Sequence, residues 1–145
     1  MKSSNREEII DHNAKKLFDI VLDIESYPYF IPWCSAMKVH SKNQNEIFAD
    51  MIVWYKYFMP QKFGSHVQFD KKNLNIKTTY IEGPLKDLKT HWIFKSINKK
   101  QTLISFTVEF EFKRFFHQKI AETFFPLIEN RMIESFKIRA DEILD

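Results

Sequence analysis

The chain has 145 residues, a length that suits one domain with a substantial core. Its 22 basic and 19 acidic residues give a net charge of +3, so we expect a largely solvated charged surface, only weak attraction to anionic membranes or RNA, and no DNA partner. Two glycines are too few for a Gly-rich phosphate-binding loop, and the single cysteine, Cys34, excludes an intramolecular disulfide.

The first part of the chain combines a weak strand pattern with a short amphipathic helix. We predict a strand near residues 6–10 and a helix that is capped by Asn13. Four apolar residues at helical spacing give this helix one buried face: Leu17, Ile20, Val21 and Ile24. Pro28 and Pro32 then exclude regular helix, so the segment "SYPYFIPWC" (residues 26–34) forms at most a short helical turn.

From Ser35 onward the apolar residues alternate, which indicates strands. Polar turns at residues 70–73 and 98–101, together with the Gly83–Pro84 pair, punctuate a run of six strands. The last strand has the cleanest pattern, with one apolar face: Ile104, Phe106, Val108, Phe110 and Phe112. Its other face is largely polar, as is typical of an antiparallel sheet covered on one side. A register error of one residue would exchange the two faces of a strand.

From about Arg114 to Leu144 the spacing is helical again. The apolar stripe of this predicted helix contains seven residues: Ala121, Phe125, Ile128, Met132, Phe136, Ala140 and Ile143. Pro126 should kink the helix or mark its start. The order of elements predicts an α+β fold in which helices cover one face of an antiparallel sheet, an arrangement compatible with an internal cavity.

The sequence shows no catalytic or metal-binding pattern. Its five histidines lack metal-ligand spacing, and the lone Cys34 completes no zinc motif. A thiol among aromatic side chains is typical of a buried small hydrophobe, so we predict no catalytic role for it. Glu109 and Glu111 alternate on the last strand and fit a solvated face.

A hairpin tip near residues 55–60 carries three large apolar residues close to lysines: Tyr57, Phe58 and Met59. Aromatic residues beside lysines suit contact with a membrane interface, and the alternative is a hairpin folded onto its own protein. No apolar run reaches about 18 residues, so we expect no segment that spans a bilayer.

Three stretches resemble one known family. The most specific is "DIESYPYFIPWC" (residues 23–34), and "EGPLKDLKTHWIF" (82–94) and "FPLIENRMIESFKIRADEI" (125–143) support it. These stretches resemble the coenzyme Q-binding, RatA-like family of the START-like (SRPBCC, polyketide cyclase-like) helix-grip superfamily. The resemblance covers nearly the whole chain. Two positions depart from the pattern. Leu85 stands where the family usually has Phe, and His66 stands where many members have Arg.

The resemblance implies a curved antiparallel sheet of about seven strands wrapped around a long C-terminal helix, with two short helices after the first strand. It implies a single lipid-binding domain over residues 1–145, with ubiquinone as bound ligand, no required cofactor and no enzymatic activity. The protein would be a carrier or chaperone for respiratory electron transport in the bacterial cytoplasm, peripherally associated with the inner membrane. We expect six aromatic residues to line the cavity: Trp33, Phe69, Trp92, Phe94, Phe124 and Phe125.

Two other functions remain open. The same resemblance implies a toxin that binds the large ribosomal subunit and blocks subunit association, a role that needs a basic surface. A cyclase-type enzyme would need convergent polar groups inside the cavity. The predicted inward strand faces offer few such groups, namely Ser65, Thr78 and Thr90.

Overall fold

The computed structural model describes residues 2–54, 59–113, 126 and 130–144. Within these ranges seven strands form one sheet: β1 (Lys2–Ile10), β2 (Cys34–Lys42), β3 (Glu46–Val53), β4 (Gln61–Asp70), β5 (Asn75–Glu82), β6 (Leu85–Asn98) and β7 (Gln101–Phe112). Three helical segments accompany it: α1 (Ala14–Leu22), a 3₁₀ helix (Ile24–Tyr29) and α2 (Met132–Ile143). The predicted α+β class and the two short helices after the first strand are therefore confirmed.

The sheet has the strand order β1-β7-β6-β5-β4-β3-β2, and every neighbouring pair is antiparallel. The first strand of the chain, β1, is paired with the last, β7. Register shifts leave extra residues unpaired in β2, β5 and β6. Such bulges bend strands and increase local twist, which curves the sheet around its apolar face.

The strand faces follow the predicted alternation. In β7 every second residue is buried, from Thr102 through Phe110, and the residues between them are partly exposed. The apolar residues of β3, β4 and β6 point to the same concave side, where Ile47, Phe69 and Trp92 are buried. The apolar face of each strand is therefore the inward one.

Helix α1 closes one end of the concave face. The Asn13 side chain accepts a hydrogen bond from the backbone N–H of Lys16 at 3.2 Å, which confirms the predicted cap. Leu17 and Phe18 are buried, and the ring of Phe18 meets Phe94 of β6 edge-on at 5.8 Å.

Helix α2 lies against the sheet through Ile133, Phe136 and Ala140. The predicted apolar stripe is wrong at Ile143, which is half exposed. The helix ends at this residue, and the extended Leu144 that follows packs against the core in its place. Of the helix predicted between Arg114 and residue 131, the structure describes residues 126, 130 and 131, so the predicted kink at Pro126 stays a prediction.

The turn between β5 and β6 is fixed by one glycine and one tyrosine. Gly83 has φ +148°, and a Cβ there would lie 2.7 Å from the carbonyl oxygen of Lys62, so only glycine fits. The Tyr80 hydroxyl donates to the carbonyl oxygen of Leu85 at 2.8 Å and accepts from its N–H at 3.0 Å. This turn places Leu85 in the core, where it is 1% exposed.

Candidate ligand cavity

An apolar cavity of about 120 Å³ lies between the concave face of the sheet, the 3₁₀ segment and α2. Its walls combine three kinds of side chain. The aromatic ones are Tyr27, Trp33, Phe63, Trp92, Phe106 and Phe136, and the flexible ones are Met37, Met51 and Met132. The remaining lining is aliphatic except for Ser65, Thr78 and Thr90.

Trp92 forms the centre of the aromatic wall. Its ring lies 4.3 Å from that of Phe106 on β7 and meets Phe136 of α2 edge-on at 5.2 Å, between ring centroids. The sheet and the C-terminal helix therefore meet through aromatic contacts at the cavity, a geometry that stabilises beyond simple burial.

The proline-bracketed segment supplies another wall. Trp33 is only 2% exposed, and its carbonyl oxygen accepts a hydrogen bond from Trp54 N–H at 3.0 Å. The Cys34 N–H donates to the carbonyl oxygen of Ile31 at 3.0 Å, which closes a tight turn around Trp33. Ile31, Trp33 and Cys34 of this segment are therefore buried in the core, whereas Tyr29 is 81% exposed.

Tyr27 joins the 3₁₀ helix to α2. Its ring packs edge-on against Phe30 at 5.9 Å and Phe136 at 5.3 Å, and its hydroxyl donates to the carbonyl oxygen of Val21. Burial raises the pKa of this hydroxyl far above its ordinary value, with smaller contributions from Cys34 and Asp23. Tyr27 is the one titratable residue among the described lining residues, and it stays neutral.

The six predicted lining residues divide into three groups. Trp33 and Trp92 line the cavity. Phe69 and Phe94 are buried but do not line it, which corrects the prediction, and for Phe94 the reason is that α1 covers it through Phe18. Phe124 and Phe125 lie outside the described residues.

Of the three residues predicted to contact a membrane, Tyr57 and Phe58 lie outside the described residues. Met59 is 77% exposed. His66, which replaces the family's Arg, faces away from the cavity. Its ring stacks on Phe48 at 4.2 Å, and its Nε2 lies 2.6 Å from Glu46 Oε1. A head group inside the cavity therefore does not meet His66.

Several lining residues were not singled out as site residues from the sequence. They are the aromatic residues Tyr27, Phe63 and Phe136 and the three methionines of the cavity wall. The alternation of β3 and β4 does place Met51 and Phe63 on the inward faces. It does not distinguish a side chain that lines a cavity from one packed in the core, because both are apolar.

Within the described ranges, no group of three or more His, Cys, Asp or Glu side chains could hold a metal ion. The same residues include no helix that is long and apolar enough to cross a membrane. The described lining residues form an apolar, uncharged pocket. Chemically, it suits noncovalent binding of an apolar molecule.

A curved seven-stranded antiparallel sheet that closes on a C-terminal helix around an apolar cavity defines the START-like helix-grip class. The sequence model of the family described as "Polyketide cyclase / dehydrase and lipid transport" matches residues 10–137, and the chain belongs to that family.

Two curated relatives and one solved structure illustrate the similarity. The ribosome association toxin RatA of Rickettsia prowazekii is 32% identical over 99% of both chains. The mitochondrial coenzyme Q-binding protein COQ10 of Drosophila melanogaster is 28% identical over 90% of this chain and 55% of its own length. The Zhui aromatase/cyclase of a Streptomyces species superposes with a TM-score of 0.86 at 11% identity, covering 99% of this chain and 96% of that one, and shows the shared fold.

Proposed function

We propose that the protein acts on ribosomes as a RatA-type factor that binds the large ribosomal subunit and blocks subunit association. The observation that carries this proposal is the similarity to the Rickettsia prowazekii protein, which extends over 99% of both chains. The coenzyme Q-binding relative supports the quinone alternative less strongly, because the match spans 55% of that protein.

The convex face of the sheet carries lysines that can contact the phosphates of ribosomal RNA, and Lys89 among them is paired across strands with Glu109. Lys77 of β5 and Lys89 and Lys95 of β6 are exposed and point away from the concave side. Among the residues the structure describes, Lys77 and Lys95 have no ion pair, while Lys89 Nζ lies 3.8 Å from Asp87 Oδ2. Lysines in this setting bind phosphates without reading sequence, and their contribution weakens as salt rises.

Sedimentation of mixed ribosomal subunits tests the proposal. Added protein should reduce the fraction of associated ribosomes and should travel with the large subunit. Raising the salt concentration should release it, because phosphate contacts dominate the affinity. Full subunit association in the presence of excess folded protein would refute the proposal.

The cavity favours a second candidate function, which is binding of ubiquinone or a similar isoprenoid lipid as a carrier. Burial of apolar ligand surface supplies about 25 cal/mol per Å² before the costs of association. Met37, Met51 and Met132 give the walls flexible side chains that adapt to a guest. Delivery would occur at the inner membrane, with the exposed Met59 and its neighbours Tyr57 and Phe58 as the contact.

This second candidate needs no catalytic residue. Among the described lining residues the only ionisable group is the Tyr27 hydroxyl, which donates to a backbone carbonyl, and this supports binding rather than cyclase-type chemistry.

Extraction of lipids from protein purified out of its native membranes, followed by mass spectrometry, tests this candidate. A quinone recovered in near-stoichiometric amount is the expected result. Protein that is empty after purification and takes up no quinone from liposomes would reject the carrier function and leave the ribosome proposal standing.

A further inference from the structure

The apolar cavity contains a row of three hydroxyl groups on adjacent strands. Ser65 of β4, Thr78 of β5 and Thr90 of β6 all line it. Thr78 and Thr90 are paired directly across their strands, and Ser65 lies two residues from Val67, the β4 partner of Thr78. Directly paired side chains lie about 5 Å apart at Cβ, and diagonal neighbours such as Ser65 and Thr78 about 7–8 Å apart, so the three hydroxyls lie close together on the cavity wall.

Strand alternation directs all three side chains to the cavity. Each lies two positions from a buried residue on the same face of its strand: Phe63 and Val67 for Ser65, Ile76 for Thr78, and Trp92 for Thr90. Their immediate neighbour Thr79 takes the opposite face of β5, beside Lys89 and His66. The row therefore interrupts a wall that is otherwise aromatic and aliphatic.

Among the described residues, none of the three hydroxyls has a hydrogen-bond partner. None of their oxygen atoms is fully buried, so each one reaches the cavity space. Two other threonines of the sheet do have hydrogen-bond partners. The buried Thr102 hydroxyl donates to the His12 carbonyl oxygen at 2.7 Å, and Thr107 Oγ1 accepts from Asn5 Nδ2 at 2.7 Å. Because these oxygens reach the cavity space, a molecule in the cavity can hydrogen-bond to them, whereas valine would fill nearly the same volume without a donor or acceptor.

We propose that Ser65, Thr78 and Thr90 form a hydrogen-bonding subsite that selects ligands with an oxygen-bearing ring. The cavity volume of about 120 Å³ is close to the ~150 Å³ of an apolar cavity that accepts benzene, so one ring fits. Trp33 and Trp92 provide apolar walls for the ring faces, and the row provides donors or acceptors for a hydroxyl or carbonyl at its edge. This inference rests on the ligand-binding candidate above and names the group that the cavity recognises.

Two ring compounds of equal shape test the subsite: p-cresol and p-xylene, which differ by a hydroxyl in place of a methyl group. Binding to ¹⁵N-labelled full-length protein is followed through the indole N–H signals of Trp33 and Trp92. Trp54, which is 60% exposed and does not line the cavity, is the internal control. Thr78→Val and Thr90→Val remove one hydroxyl each, and Thr79→Val is the matched control on the outer face.

We expect both compounds to shift the signals of Trp33 and Trp92. Thr78→Val or Thr90→Val should weaken p-cresol binding relative to p-xylene by about fivefold, the effect of one hydrogen bond. Thr79→Val should leave this ratio unchanged. Ratios unchanged in all three variants would overturn the subsite while leaving cavity binding intact. Wild-type protein that binds neither compound would overturn cavity binding and the subsite together.

Discussion

Cys34 has the environment of an inert core thiol. It is 3% exposed, and its Sγ lies 3.6 Å from the carbonyl oxygen of Ala36. Burial raises the pKa of the thiol from 9.0 to about 11, so the thiolate fraction near neutral pH falls by a factor of about 100. We predict that iodoacetamide alkylates the native protein at least about 100-fold more slowly than the denatured chain at the same pH, as followed by mass spectrometry. Equal rates would contradict the buried environment.

His91 is a second residue whose titration follows from its position. It lies on the outer face between strands, and its Nε2 is buried without a partner among the described residues. Burial, and then the positive charge of Lys77, lowers the pKa of His91 below its ordinary value of 6.5. The folded protein therefore binds this proton less readily than the unfolded chain does. The contribution of His91 to the free energy of unfolding is fully present above pH 6.5 and is lost as the pH falls below it.

The smaller of the two causes can be removed by mutation. We predict that Lys77→Met raises the pKa of His91, while Lys95→Met, a matched change further along the outer face of the sheet, leaves it in place. An NMR titration of the imidazole signals measures both. A His91 pKa that is identical in the Lys77 variant and the wild type would show that Lys77 has no electrostatic effect on the imidazole.

At the scale of elements, Phe136 packs α2 against the 3₁₀ segment and the sheet. Its ring meets Tyr27 at 5.3 Å, Phe30 at 5.4 Å and Trp92 at 5.2 Å. We predict that Phe136→Ala lowers the free energy of unfolding by about 3–5 kcal/mol, because it removes a buried ring and enlarges a cavity. Ile138→Ala, on the same helix but half exposed, should change it by less than about 1 kcal/mol. Urea unfolding separates the two, and equal losses would place α2 outside the core.

The strands were predictable because alternation carries their orientation. The inward residues of β7 could be read directly from the sequence, and so could the inward position of Ser65, Thr78 and Thr90. What alternation does not encode is the element that covers each inward residue. Phe94 and Trp92 share a face of β6, yet α1 covers the first through Phe18 while the second lines the cavity. That difference depends on where helices cross the sheet, which is a tertiary property.

At the scale of the whole molecule, the sheet separates two surfaces. The concave face, with α2, encloses the apolar cavity, and the convex face carries the lysines of β5 and β6. Adjacent residues of one strand serve opposite surfaces, as Lys77 and Thr78 do on β5. A change of a convex lysine therefore leaves the cavity wall in place, so the two candidate functions can be tested independently.

Charge reversal on the convex face tests this independence. We predict that Lys77→Glu combined with Lys95→Glu weakens co-sedimentation with the large ribosomal subunit at least about tenfold and makes the residual binding less sensitive to salt, since each lost phosphate contact lowers the salt dependence. The same reversal at Lys71 and Lys72, in the exposed turn after β4, makes an equal change in net charge and should have a smaller effect. Binding of p-cresol should be unchanged in both variants, because none of the four lysines lines the cavity. If both pairs weaken ribosome binding equally, net charge rather than the convex face is responsible.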